Sequence, residues 1–214
     1  MRAAQPWSER IGVPESFRVG HDEDVERLPG GQHYELLTET LRLFLDDYAG
    51  AVPDDEASAQ LAADLQRWSG RLLASQVEEK EQAFGHRTDL PGRGQVMAPA
   101  FVMTDRLPDA VAGTVTFGRY FLGGNGAVHG GAIALFFDEV LGRLSDTCGR
   151  PPGRTAYLNT SFRAVTPVER RLTVRAWFAS ESGRKRVLRG EIRDGETLCA
   201  EADGLFISLV DGQD

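Results

Sequence analysis

Cysteine is nearly absent from this chain: Cys148 and Cys199 are the two present, and no Cys-x-x-Cys pair occurs. That argues against a disulfide framework and a cysteine-rich metal site, and makes a reduced cytoplasm the expected compartment. No apolar run approaches the roughly 18 residues of a membrane-spanning helix, so no membrane span is expected. The opening stretch MRAAQPWSERIGVPESF lacks the apolar core of a secretory signal. His33 and His86 stand without metal-ligand spacing, and no metal is expected. Repeats and low-complexity tracts are also missing.

What is present is an acidic chain of 214 residues with 41% hydrophobic residues, enough for a real core. The net charge of −8 is unevenly placed. Residues 1–97 carry 18 acidic against 10 basic side chains, whereas residues 98–214 carry 14 of each. Without a basic stripe the chain is a poor nucleic-acid binder, and no nucleic-acid partner is expected.

The patterning also divides near residue 97. Residues 1–32 are Pro/Gly-punctuated and charged, and read as an irregular arm. Residues 33–49 and 56–81 read as two amphipathic helices. Their apolar stripes are Tyr34, Leu37, Leu41, Leu45 and Tyr48, then Leu61, Leu65, Trp68 and Leu72, expected to lie in a core or interface. Asp54 and Asp55 suit the start of the second helix. Residues 84–97 read as a linker because Pro and Gly cluster there. Beyond it, β-branched and aromatic residues predict strands at 99–104, 111–120, 154–165, 171–180, 184–193 and 196–210. Leu172, Val174, Ala176 and Phe178 share one strand face. Asp194-Gly195 between two such runs signals a hairpin, and Gly204 suggests a bulge or tight bend. The expected class is α+β, with one helix wrapped by a curved antiparallel sheet.

That helix lies in GGNGAVHGGAIALFFDEVLGRLSD, residues 123–146. From Ala132 to Leu141 everything is apolar except Asp138 and Glu139, so the helix is expected to be buried. The two acids are about 100° apart around the helix, so at least one sits where a carboxylate is costly. Gly130 and Gly131 open the helix, where bare N–H groups favour developing negative charge. N–H donors with a carboxylate about two turns away are what acyl hydrolysis requires.

VHGGAIALFFDEVLG, followed by TAYLNTSFRAVTP and SGRKRVLRGEIRDGETLCAEADGLFISL, resembles the hotdog-fold acyl-CoA thioesterases. The likeness is greatest to the phenylacetate-pathway branch and its mammalian thioesterase-superfamily relatives. It covers about residues 98–210 and implies a hotdog domain over 98–214, with 1–97 as an N-terminal arm and helical extension. It further implies hydrolysis of an acyl-CoA thioester in lipid metabolism, with coenzyme A as part of the substrate and no separate cofactor. Asp138, nine positions after His129, matches the family's catalytic carboxylate, nucleophile or general base. Gly130 matches the glycine whose N–H polarises the carbonyl, Gly131 adjoins it, and His129 matches the motif histidine that supports the loop. Thr155 matches a Thr/Ser that hydrogen-bonds the carboxylate or the water. Six positions before His129, where many relatives have Asn or Gln, this chain has Gly123, with Asn125 the nearest substitute. The family's site lies between subunits, so a homodimer or a dimer of dimers is implied.

Glu139 is expected to be the solvated neighbour of Asp138. Arg163, Arg184, Lys185 and Arg186 are either solvated strand-end charges or contacts for the phosphates of coenzyme A. A second class of reading is a non-catalytic acyl-CoA-binding or interaction module. A hydratase ranks low, because no second histidine is placed to pair with Asp138.

Overall fold

The computed structural model describes residues 29–209. Most of the expected arm, and the end of the last expected strand beyond 209, lie outside the described residues. Two helices come first, α1 (Tyr34–Gly50) and α2 (Asp55–Leu73). Short 3-10 turns follow at Glu79–Glu81 and Pro91–Gly94. Then come β1 (Phe101–Leu107), β2 (Ala110–Thr116), a short β3–β4 pair (Leu122–Gly124, Ala127–Val128) and α3 (Gly130–Ser145). Four long strands complete the chain: β5 (Gly153–Phe162), β6 (Arg171–Ser182), β7 (Lys185–Asp194) and β8 (Thr197–Ser208). The main sheet has the order β1-β2-β6-β7-β8-β5, every neighbour antiparallel, so β1 and β5 form its edges.

The α+β architecture expected from the sequence is the one observed, a curved sheet wrapped around α3. Apolar residues explain why. Ile133, Phe136, Phe137, Val140, Leu141 and Leu144 of α3 are buried in one cluster with Leu172, Val174, Ala176, Leu188, Ile192 and Phe206 of the sheet. Each of the Leu, Ile, Val and Phe side chains among them contributes about 1.5–3 kcal/mol by leaving water. The alternation Leu172, Val174, Ala176 keeps one face of β6 inward. Phe137 lies directly on β7 because position 190 is glycine: a Cβ there would meet the ring at 3.0 Å.

Several expectations change. The predicted strand over 111–120 ends at Thr116, and Arg119–Phe121 form a 3-10 turn. The second helix ends at Leu73 rather than 81. Asp54 does cap it, accepting from the Ala57 N–H at 2.8 Å. However, α2 has no buried residue, and Leu65, Trp68 and Leu72 are exposed, so this stripe is not core within the chain. In α1, too, Leu37, Leu41 and Tyr48 of the predicted stripe face outward. This helix docks through polar side chains instead: Arg42 Nη2 donates to the carbonyls of Pro91 and Gln95, and Asp46 accepts from the Tyr120 N–H. The Asp194-Gly195 hairpin forms, joining β7 to β8. Gly204 is no bulge. It pairs in register with both Leu158 and Leu188, and the irregularity falls instead on β5 between Thr155 and Tyr157. Among the described residues no helix is long and apolar enough to cross a membrane.

Candidate active site

The β3–β4 turn leads into α3 and builds its N-terminus. Asn125 sits at the turn tip, exposed and in left-handed backbone (φ 50°). Gly123 lies against the histidine backbone, and a Cβ on it would fall 2.8 Å from His129 Cα. The position where the resemblance expects Asn or Gln therefore has no room for a side chain in this loop geometry. His129 is the N-cap of α3, and its Nδ1 accepts from the Gly131 N–H at 3.0 Å. That is a structural role, and it uses the Gly131 donor. The Gly130 N–H has no acceptor among the described residues. Phe162, from the end of β5, stands over Gly130, with its Cζ 3.1 Å from where a Cβ would be.

Asp138 lies two turns further along α3, on an exposed face. Thr155 Oγ1 of β5 donates to its Oδ1 at 2.9 Å. Both line a cleft of about 520 Å³ that also receives His86, Arg93, Arg143 and Arg154. Glu139 takes the opposite role from the one expected. It is 9% exposed, and its Oε2 accepts from Arg93 Nε at 3.1 Å and Nη2 at 2.9 Å. A helix buried nearly all round has a single wet side, and here Asp138 occupies it. Glu139 therefore needs a counter-charge from elsewhere in the chain.

That counter-charge comes from the stretch read as a linker. Residues 85–93 form one wall of the cleft, and Arg143 Nη2 of α3 donates to the Thr88 carbonyl at 2.8 Å. Burial pulls the Arg143 guanidinium below its ordinary value, with Glu139 acting against this. Burial also raises the Asp146 carboxyl, opposed by the hydrogen bond from the Gly153 N–H and by Arg186. Sequence spacing gave no sign of Arg93, which is 46 residues from its partner.

The basic candidates separate. Arg163 is ion-paired with Glu201 at 2.5 Å, and Arg184 Nε donates to the Ser208 carbonyl at 2.9 Å. Lys185 is exposed at the start of β7. Arg186 is buried, and its Nη1 donates to the carbonyls of Ser145 and Pro151. It ties the end of α3 to the sheet from the interior instead of joining the surface cations. Among the described residues no group of three His, Cys, Asp or Glu side chains is placed to hold a metal ion.

The Thioesterase superfamily profile matches residues 125–201. The acyl-coenzyme A thioesterase THEM4 of Bos taurus is 36% identical over 94 residues, covering 43% of this chain and 38% of the relative. The matched region thus spans well under half the length of that curated relative. A crystallised thioesterase superfamily protein superposes with a TM-score of 0.70 at 28% identity, covering 85% of this chain and 93% of the other. A Streptococcus mutans protein solved with acetyl-CoA bound is more distant, with a TM-score of 0.48 at 17% identity, covering 51% of this chain and 88% of the other. The 85% overlap reaches well beyond the strand-and-helix region into the N-terminal part. By profile match over residues 125–201, and by fold with a solved relative at 28% identity, this chain is similar to the thioesterase superfamily.

Proposed function

We propose that the chain hydrolyses an acyl-CoA thioester to the free acid and coenzyme A. The observation that carries this reading is Asp138, held by Thr155 in an open cleft on the helix whose first N–H, at Gly130, has no acceptor among the described residues. In the reaction, a water oxygen bonds to the carbonyl carbon and the C–S bond breaks. The water's proton passes by way of Asp138 to the departing thiolate. Asp138 acts as general base, or attacks first to form an anhydride that water then opens. The carbonyl oxygen rests on the Gly130 N–H, a preorganised donor whose loss costs about 3–4 kcal/mol in comparable hydrolases. Lys185 and Arg184 are the surface cations offered to the coenzyme A phosphates.

Gly130 and Asp138 are about 12 Å apart along one helix. They act on one carbonyl only if each comes from a different copy of the chain, so the working form is a homodimer or a higher assembly of dimers. The ten-residue strand β5 suits that assembly. It ends the sheet, pairs on one side only with β8, and exposes Tyr157 and Phe162.

Turnover of a panel of straight-chain and aromatic acyl-CoA esters tests the reading. Activity that disappears in Asp138→Asn supports it, and full activity in that variant overturns the assignment. The crowded Gly123 position favours a second reading, an acyl-CoA-binding module without turnover. Thermal stabilisation by coenzyme A with no hydrolysis across the panel would select it, and measurable turnover would remove it.

A further inference from the structure

The two neighbouring carboxylates of α3 reach the same cleft but are held differently. Asp138 is exposed, with one neutral donor in Thr155. The Glu139 side chain is 8% exposed, ion-paired through Oε2 to Arg93, and its Oε1 has no hydrogen-bond partner among the described residues. Arg93 belongs neither to α3 nor to the sheet. It sits in the turn Pro91–Gly94, where Gly92, Arg93 and Gly94 all have left-handed backbone (φ 60°, 55° and 75°). A non-glycine residue in that region is strained and persists only where its surroundings over-determine it. Here they do: Arg42 of α1 holds the Pro91 and Gln95 carbonyls from one side, and Arg143 holds the Thr88 carbonyl from the other. The wall is thus built with its cation already aimed at Glu139.

We infer that Arg93 is a positioning residue of the Asp138 site: by ion-pairing Glu139 it leaves Asp138 as the carboxylate of the two that faces the open cleft without a counter-ion of its own. This rests on the reading of Asp138 as the reactive carboxylate. It also makes the N-terminal extension part of the working site. The charged and titratable groups facing the cleft are His86 and Arg93 from the wall, Glu139, Arg143 and Asp146 from α3, and Arg154 from β5. Of these, Arg93 alone is ion-paired with Glu139 among the described residues. Without it, a buried carboxylate lacking a counter-charge would lie one position along the helix from Asp138, and a nearby like charge disfavours the ionised form.

The test follows the Asp138 carboxyl carbon by NMR as pH is varied in the full chain, with Asp138→Asn identifying the resonance and acyl-CoA turnover measured in parallel. In Arg93→Met the titration midpoint should rise by about one pH unit, and the acid limb of kcat/KM should move with it. Arg93→Met combined with Glu139→Gln should return both to the parent values, and Arg93→Lys should stay close to them. Glu139→Gln alone, which keeps the wall and its cation, should lower the midpoint, and it remains measurable should Arg93→Met fail to fold. An unmoved midpoint in both single variants overturns the inference, as does a double variant impaired as badly as Arg93→Met. Full activity in Asp138→Asn would instead overturn the functional reading, while the titration would still decide the role of Arg93.

Discussion

Thr155 donates its hydroxyl to Asp138 Oδ1 at 2.9 Å, joining β5 to the exposed side of α3. The bond lies next to the irregular step in β5 between Thr155 and Tyr157. A hydrogen bond to a charged group is worth about 1.5–3 kcal/mol, so Thr155→Val should lower kcat/KM roughly 10- to 100-fold. Thr155→Ser, which keeps the donor, should retain most activity. Steady-state kinetics on the best acyl-CoA ester of the panel decides. Asp138→Asn should lose more, on the order of 10²–10⁴-fold.

Gly123 offers a stability test of the loop that carries His129. An alanine Cβ at 123 would sit 2.8 Å from His129 Cα and 3.0 Å from its backbone nitrogen. These are backbone atoms, which yield only if the loop shifts. Gly123→Ala should therefore cost about 1–3 kcal/mol in urea unfolding. Gly123→Asn, which restores the residue type many relatives have there, should be no more stable than Gly123→Ala. If either variant matched the parent protein, the close approach would be refuted.

Asp146 has a defined pH signature. Burial raises its carboxyl in the folded chain, so the folded state binds this proton more tightly than the unfolded one. Stability from this group is therefore present at low pH and is lost as pH rises through the window from the ordinary carboxylate value to the raised one. Asp146→Asn should raise Tm at neutral pH, with the advantage fading below about pH 4. The side chain is 43% exposed, so solvent screening keeps the gain under about 1 kcal/mol. A Tm difference that stayed constant from pH 3 to 7 would contradict this sign.

The two cysteines should label differently. Cys199 is fully buried and its thiol is pushed up by that burial, whereas Cys148 is exposed in the turn after α3. Native alkylation with iodoacetamide should modify Cys148 and spare Cys199, while denatured protein should take up two equivalents. Peptide mass spectrometry reads the outcome.

Much of the fold was legible because local periodicity and burial agree over α3 and the four long strands. Leu172, Val174 and Ala176 announce one inward face, and Asp194-Gly195 announces the hairpin. The helical extension was less legible. Its helices are present, but α1 meets the domain through Arg42, Asp46 and Tyr34, while Leu37, Leu41 and Tyr48 of the apolar stripe face outward. Hydrophobic periodicity says nothing of a helix held by carbonyls and backbone N–H groups.

For the candidate site, the sequence alone determined that two acids share one buried helix, that glycines open that helix, and that a histidine precedes them. Those facts depend on residue type and helical spacing, which are local. Helical spacing alone could not say which acid faces the cleft; the resemblance points to Asp138, with Glu139 expected in solvent rather than buried. Asp138 and Glu139 are adjacent in sequence, and their fates are set by Thr155, 17 positions from Asp138, and Arg93, 46 positions from Glu139. Only the tertiary structure brings those partners in, because the cost of a buried carboxylate depends on which distant cation the fold delivers to it.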